Sequence, residues 1–236
     1  MQCQCKVGCK MTPLENEPYC EYHKKHGCPI SSPTTGSEPG LEILDDYNKN
    51  PSKRKTHNCF AFAVLMNDLK KISECTPKSC NVGFHSPGRV SGHDKVKGKL
   101  AKVCSDLTVR TIGDIPDSTF SSFEEKCPEG HRKIALVTDE KNDFHYYLQL
   151  NNGKWVHKPG GRHATTLDSN GSIIMNPELA GRFYPAEDKY DHDLNYNSFC
   201  GYLCIPSNKP IVVKGGRRSR KYKIRSKRNR KTRSKN

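Results

Sequence analysis

The stretch Asn58-Cys59-Phe60-Ala61-Phe62-Ala63-Val64-Leu65-Met66-Asn67-Asp68-Leu69-Lys70-Lys71-Ile72 decides how the chain is read. Asn58 is a good N-cap, because its side chain can accept a bond from one of the first unpaired N–H groups of a helix. The residues after it are apolar almost all round their first two turns, where a surface helix would show only a stripe. The pattern predicts a central, buried helix over residues 59–72 with Cys59 at its first position. Unpaired N–H groups and the positive end of the helix dipole meet there. That location favours thiolate over thiol and offers donors to an oxyanion on an attacked carbonyl.

A nucleophile needs a base close in space. Short β-branched or aromatic runs separated by turn residues predict strands at Lys133–Thr138, Phe144–Leu150, Lys154–His157 and Gly201–Ile205. Two of them carry a histidine, His145 and His157. The turn between these two is Asn151-Asn152-Gly153. As a three-residue loop with Gly153 left-handed, it sets His157 opposite Tyr147. His145 and Tyr147 share a face, so the two histidines become diagonal neighbours roughly 7 Å apart at the backbone. A two-residue Asn152-Gly153 turn would put them on opposite faces; the three-residue loop is preferred. One buried helix followed by a small antiparallel sheet is an α+β layout. Residues 73–132 read as long loops, with one β-like stretch at Leu107–Ile112.

Composition bounds the rest. The chain has 236 residues, 33% of them hydrophobic, and a mean hydropathy of −0.83. That is low for a compact globule, so part of the chain is expected to lie outside a core. No apolar run reaches the roughly 18–20 residues of a membrane helix. The opening Met1-Gln2-Cys3-Gln4-Cys5-Lys6 has no apolar signal-peptide core, and conventional secretion is not expected. Net charge is +15, yet Arg217–Asn236 alone contributes twelve basic residues and no acidic one, leaving +3 for the remainder. Four parts follow: a Cys/His-rich module at 1–28, a Pro/Gly/Ser-rich linker at 29–56, a folded domain at 57–213 and a basic tail at 214–236.

Twelve cysteines are present, five of them within the first 28 residues beside histidines, which favours a metal over disulfides. The spacing Cys5-x3-Cys9-x10-Cys20-x2-His23 offers three thiolates and an imidazole, a donor set that suits a structural Zn²⁺. Cys3, His26 and Cys28 compete for the same ion. The ion would replace a core that so short a segment cannot build, and the spacing is similar to short Cys-Cys-Cys-His fingers of viral and algal proteins. Cys75, Cys80, Cys104, Cys127, Cys200 and Cys204 are read as buried free thiols. The tail, as a run of like charges, is expected to be disordered when free and to bind nucleic acid without sequence preference through counterion release.

The Cys-then-His-then-His order resembles the papain-like cysteine hydrolases, most closely the NlpC-type branch. The matching residues are Asn58-Cys59-Phe60-Ala61-Phe62-Ala63, then Phe144-His145-Tyr146-Tyr147, then Trp155-Val156-His157-Lys158-Pro159-Gly160. The resemblance implies a papain-like core, with Cys59 as nucleophile, His145 as general base and acid, and His157 as the residue that orients His145. Asn-Cys-Phe-Ala replaces the usual Asp-Cys-Ser-Gly. No obvious oxyanion-hole glutamine stands ahead of Cys59, and His57 or Asn58 takes that place. The whole chain also resembles uncharacterised proteins of large DNA viruses, through the N-terminal finger, Phe84-His85-Ser86-Pro87-Gly88 and Phe199-Cys200-Gly201-Tyr202. That likeness implies a host cytoplasmic or nuclear setting, or packaging in a virion. The expected function is a thiol hydrolase of the peptidase or amidase kind, targeted by finger and tail. The alternative is an inactive virion or nucleic-acid-associated protein that keeps the fold.

Overall fold

The computed structural model describes residues 3–4, 12–26, 31–76, 79–80, 82–96, 102–186 and 192–208. Helices dominate the first half: α1 (Glu21–His26), α2 (Glu42–Asn48), α3 (Pro51–Thr56), α4 (Cys59–Ala63), α5 (Leu69–Glu74) and α6 (Cys104–Asp114). Strands follow: β1 (Thr119–Ser121), β2 (His131–Asp139), β3 (Asp143–Gln149), β4 (Trp155–His157), β5 (Phe183–Tyr184), β6 (Leu194–Asn195) and β7 (Ser198–Pro206). Five strands form one antiparallel sheet in the order β1-β7-β2-β3-β4, and β5 pairs with β6 apart from it. The class is α+β, as the sequence pattern predicts.

Both faces of the sheet are covered, which explains why β2 is buried from Arg132 to Asp139 rather than alternating. One face turns Ile134, Leu136, Tyr146, Leu148 and Leu203 toward α4 and Leu107 of α6. The other turns Ala135, Val137, Tyr147, Trp155 and Tyr202 toward Phe123, Ile174 and Tyr196. His145 lies two residues from Tyr147 and belongs to this second face.

Helix α4 is central and wholly buried, but it stops at Ala63. Leu65 takes a positive φ of 52°, and Met66 N–H bonds back to Ala61 O at 2.8 Å. Asp68 then caps a separate helix by accepting from Lys71 N–H at 3.0 Å. A second cap inside the apolar run divides what the sequence predicts as one helix over 59–72. Buried Arg132 reaches from β2 to donate to Val64 O at 2.9 Å, closing the end of α4 with a cation where the dipole favours one.

Three further expectations are corrected. Leu107–Ile112 is helical, within α6; its buried positions Leu107, Thr108, Thr111 and Asp114 follow a helical period, and packing overrides the β-branched composition. Residues 31–56, read as linker, are packed: they contain α2 and α3, Tyr47 stacks edge-on against Phe62 at 4.8 Å, and Ser32 is buried under Lys133. The six body cysteines are not free thiols. They pair as Cys75–Cys80, Cys104–Cys200 and Cys127–Cys204, the last two fastening α6 and the loop after β1 to β7. Their partners lie up to 96 residues apart, a pairing that spacing alone does not reveal.

No helix among the described residues is long and apolar enough to cross a membrane. The basic stretch 217–236 lies outside the described residues.

Candidate active site and metal centre

The site begins with a strand edge. Tyr147 pairs with His157 across the hairpin, the register of a three-residue loop, and Gly153 holds the left-handed φ of 78° that such a loop needs. His157 commits its own N–H and C=O to Thr165, at 3.0 and 2.9 Å, on the far side of β4. The 147–157 pair is therefore the non-hydrogen-bonded kind, and β3 directs the backbone groups of its even-numbered residues toward β4. Strand β4 ends at His157, leaving Phe144 and Tyr146 beyond its reach.

Cys59 fills that edge. Its Sγ donates to Phe144 O at 3.7 Å, and the Tyr146 N–H points back at the sulfur. The thiol thus abuts the main chain on either side of His145. Asn58 caps α4 by accepting from Ala61 N–H at 3.2 Å, and its amide donates to His85 O at 2.8 Å. These bonds fix the first turn, and with it the sulfur.

The two imidazoles meet as predicted. His145 Nε2 and His157 Nδ1 are 2.7 Å apart, and His157 Nε2 is 2.9 Å from Leu167 O. A carbonyl only accepts, so His157 carries its proton on Nε2, and its Nδ1 accepts the Nε2–H of His145. His145 Nδ1 is left with a lone pair. Tyr147 stacks on His157 with ring centroids 5.2 Å apart and planes 22° from parallel, holding the second ring in place.

Burial sets the resting charges. It pushes the Cys59 thiol up to about 12, helped by Asp143, and outweighs the backbone bonds and the Lys158 charge that pull it down. It lowers His157 to about 4 and His145 well below the usual 6.5. At rest the thiol and both imidazoles are neutral. The thiolate expected from the helix N-terminus is not favoured, because one short helix end does not offset removal of the sulfur from water.

Sequence reasoning missed Lys158. It is fully buried, and its Nζ donates to His57 O and Gly160 O. It ties the residue before the N-cap of α4 to the loop after β4, and burial brings its ammonium down to about 8. His57 and Asn58, the expected oxyanion partners, have structural duties instead. His57 Nδ1 lies near Thr56 Oγ1 and Lys53 O, its Nε2 accepts from Asp68 N–H, and Asn58 is the cap. Only the order of residues, lysine next to a relay histidine, could have drawn attention to position 158.

A cleft of about 450 Å³ opens beside the relay, lined by His145, Asp143, Gly160, Arg162, Tyr184 and Tyr196 among others. Tyr196 donates to Asp143 at 2.9 Å. Cys59 is 5% exposed and does not line this cleft.

In the N-terminal segment, Cys3, Cys20 and His23 form a buried group whose ligand atoms all lie within 4.8 Å of one another. Nδ1 of His23 is 3.3 Å from Cys3 Sγ and 3.1 Å from Cys20 Sγ, and the Cys20 N–H donates to Cys3 Sγ at 3.3 Å. Such a group could hold a metal ion. A tetrahedral Zn²⁺ sets sulfur and nitrogen ligands about 3.5 Å apart, and a backbone N–H on sulfur is the usual support of a metal-bound thiolate. Two of the four predicted ligands, Cys20 and His23, are in this group, and Cys3 joins them. Cys5, Cys9 and Cys28 lie outside the described residues.

No family model matches the chain, and no solved structure does. Among curated proteins, insoluble matrix shell protein 1 of Ruditapes philippinarum is 28% identical over 141 residues, which span 58% of this chain and 78% of that protein.

Proposed function

We propose that the chain is a thiol hydrolase of the papain-like, NlpC-type kind, acting through an acyl-enzyme on Cys59. The observation that carries this reading is the His145–His157–Leu167 O relay on β3 and β4, with Cys59 bonded to the main chain of β3 at Phe144, the residue before His145. His145 Nδ1 takes the thiol proton as sulfur attacks the carbonyl carbon of an amide or ester, giving a tetrahedral oxyanion. His157 and its carbonyl stabilise the imidazolium that forms. The oxyanion collapses, the leaving group departs with the proton from His145, and a thioester remains on Cys59. Water, deprotonated by the same nitrogen, then releases the acid and restores the thiol. The Lys158 ammonium lowers the energy of the negative charge that develops on the sulfur. Because the resting pair is neutral, proton transfer accompanies attack rather than preceding it.

Turnover of p-nitrophenyl acetate tests this proposal. His145→Ala is expected to lower it by about 10²–10⁴-fold, the usual contribution of a general base; His157→Ala should lower it less. Equal rates in wild type and Cys59→Ala would refute it.

A second reading has its own support. The three disulfides among the described residues and the likeness to a shell matrix protein favour a stable structural component, in which Cys59 and the histidines are packing residues. The disulfides also suit an oxidising setting better than the reduced cytoplasm or nucleus implied by the viral resemblance. Under either reading the N-terminal cluster binds a structural Zn²⁺, and the basic stretch 217–236 contacts nucleic acid.

A further inference from the structure

Gln4 sits between the Cys/His group and the sheet, and it is 2% exposed. Its N–H donates to Pro18 O at 2.7 Å, within the segment that leads to Cys20. Its side chain faces the body. Oε1 accepts from Met175 N–H at 2.7 Å and Asn176 N–H at 3.1 Å, and Nε2 donates to Asp168 Oδ2 at 3.4 Å. Ser172 Oγ adds a bond to Glu17 O at 3.2 Å. The Cys/His module therefore grips one short loop of the body at both ends.

That loop carries the carbonyl that orients His157. Leu167 bridges Ile173, Ile174 N–H bonds Thr166 O at 2.8 Å, and Trp155 N–H bonds Ile174 O at 2.9 Å. Asp168 fixes the turn by accepting from the N–H groups of Asn170, Ser172 and Gly181. Without Gln4, the N–H groups of Met175 and of buried Asn176 would lack this acceptor.

We propose that a zinc ion held by Cys3, Cys20 and His23 is the clasp that seats Gln4 on residues 168–176, and that this seat fixes the Leu167 carbonyl against His157. Among the described residues of the module, Cys3 and Cys20 are the buried hydrophobic pair, with Tyr19 packed against them. The ion supplies the order that a core would otherwise supply. The clasp holds or fails independently of catalysis; only its effect on turnover rests on the reading above.

The test uses the full chain and follows backbone hydrogen exchange and the ¹⁵N shifts of the His157 ring. Zinc content should be one per chain. Removal by a chelator should speed exchange at Met175, Asn176 and Ser172 at least tenfold, shift the His157 signals, and be reversed by added Zn²⁺. If the chelator unfolds the whole chain, Gln4→Glu decides. That variant keeps the acceptor for Met175 and Asn176 but sets a carboxylate against Asp168. It should show the same loosening with zinc content unchanged and with α4 and β2 still protected. A chain that binds no zinc, or exchange and His157 signals unaltered by both treatments, would overturn the proposal. An inert chain in the nitrophenyl acetate assay with the clasp response intact would remove the hydrolase reading alone.

Discussion

His145 and His157 are set in a single order of protonation because a carbonyl at one end accepts and cannot donate. The free lone pair is thereby placed at His145 Nδ1. Lys158 is the cation closest in role to this pair. Lys158→Met should slow turnover at least tenfold and destabilise the fold by about 1–3 kcal/mol, as two buried carbonyls lose their donor. Burial puts the ammonium at about 8, so wild-type turnover should decline above that pH, a limb that Lys158→Met lacks. The histidines also govern stability. His57, His85 and His157 have folded-state values near 4, below the ordinary 6.5. Between those values the unfolded chain binds more protons, so stability is complete above about 6.5 and falls on acidification toward 4. The slope is about 1.4 kcal/mol per pH unit for each such group, measurable by urea unfolding at pH 7 and pH 5. Cys59, His145 and His157 were legible from the sequence because residue type and strand parity locate them. Their charge states were not, since burial is set by elements far away in the chain.

The element that matters most is α4, whose five residues place the sulfur. Its start was legible, because an Asn before an apolar run has a local cause. Its end was not, because Leu65 and Asp68 interrupt an apolar pattern that continues past them. Asn58→Ala should destabilise the protein by about 1 kcal/mol through the lost cap, with a further loss from the unpaired His85 carbonyl. Calorimetry measures that change, and turnover should fall with it as the thiol loses its fixed position. The β3–β4 hairpin was legible down to its register, since loop length and a left-handed glycine determine which residues face each other. Helix α6 was misread, because Thr108, Val109, Thr111 and Ile112 have strand propensity while their burial follows a helical period.

At the scale of the molecule, β7 is the anchor. Cys104–Cys200 and Cys127–Cys204 bind α6 and the loop after β1 to it, with sequence separations of 96 and 77. Peptide mapping without reductant should recover both links. The double variant Cys104→Ser/Cys200→Ser should lose about 2–5 kcal/mol, read from the midpoint of urea unfolding. These long-range links and the packing of residues 31–56 were invisible in the sequence, because they join segments that no local pattern relates. The N-terminal cluster was partly legible: Cys20-x2-His23 places two ligands near one another along α1, whereas Cys3 enters through the path of the chain. The most direct test is an acid quench of the protein reacting with p-nitrophenyl acetate, followed by peptide mass mapping. The account predicts an acetyl thioester on Cys59, absent in Cys59→Ala and scarcely formed in His145→Ala. An unmodified Cys59 in the wild-type protein under turnover conditions would contradict it.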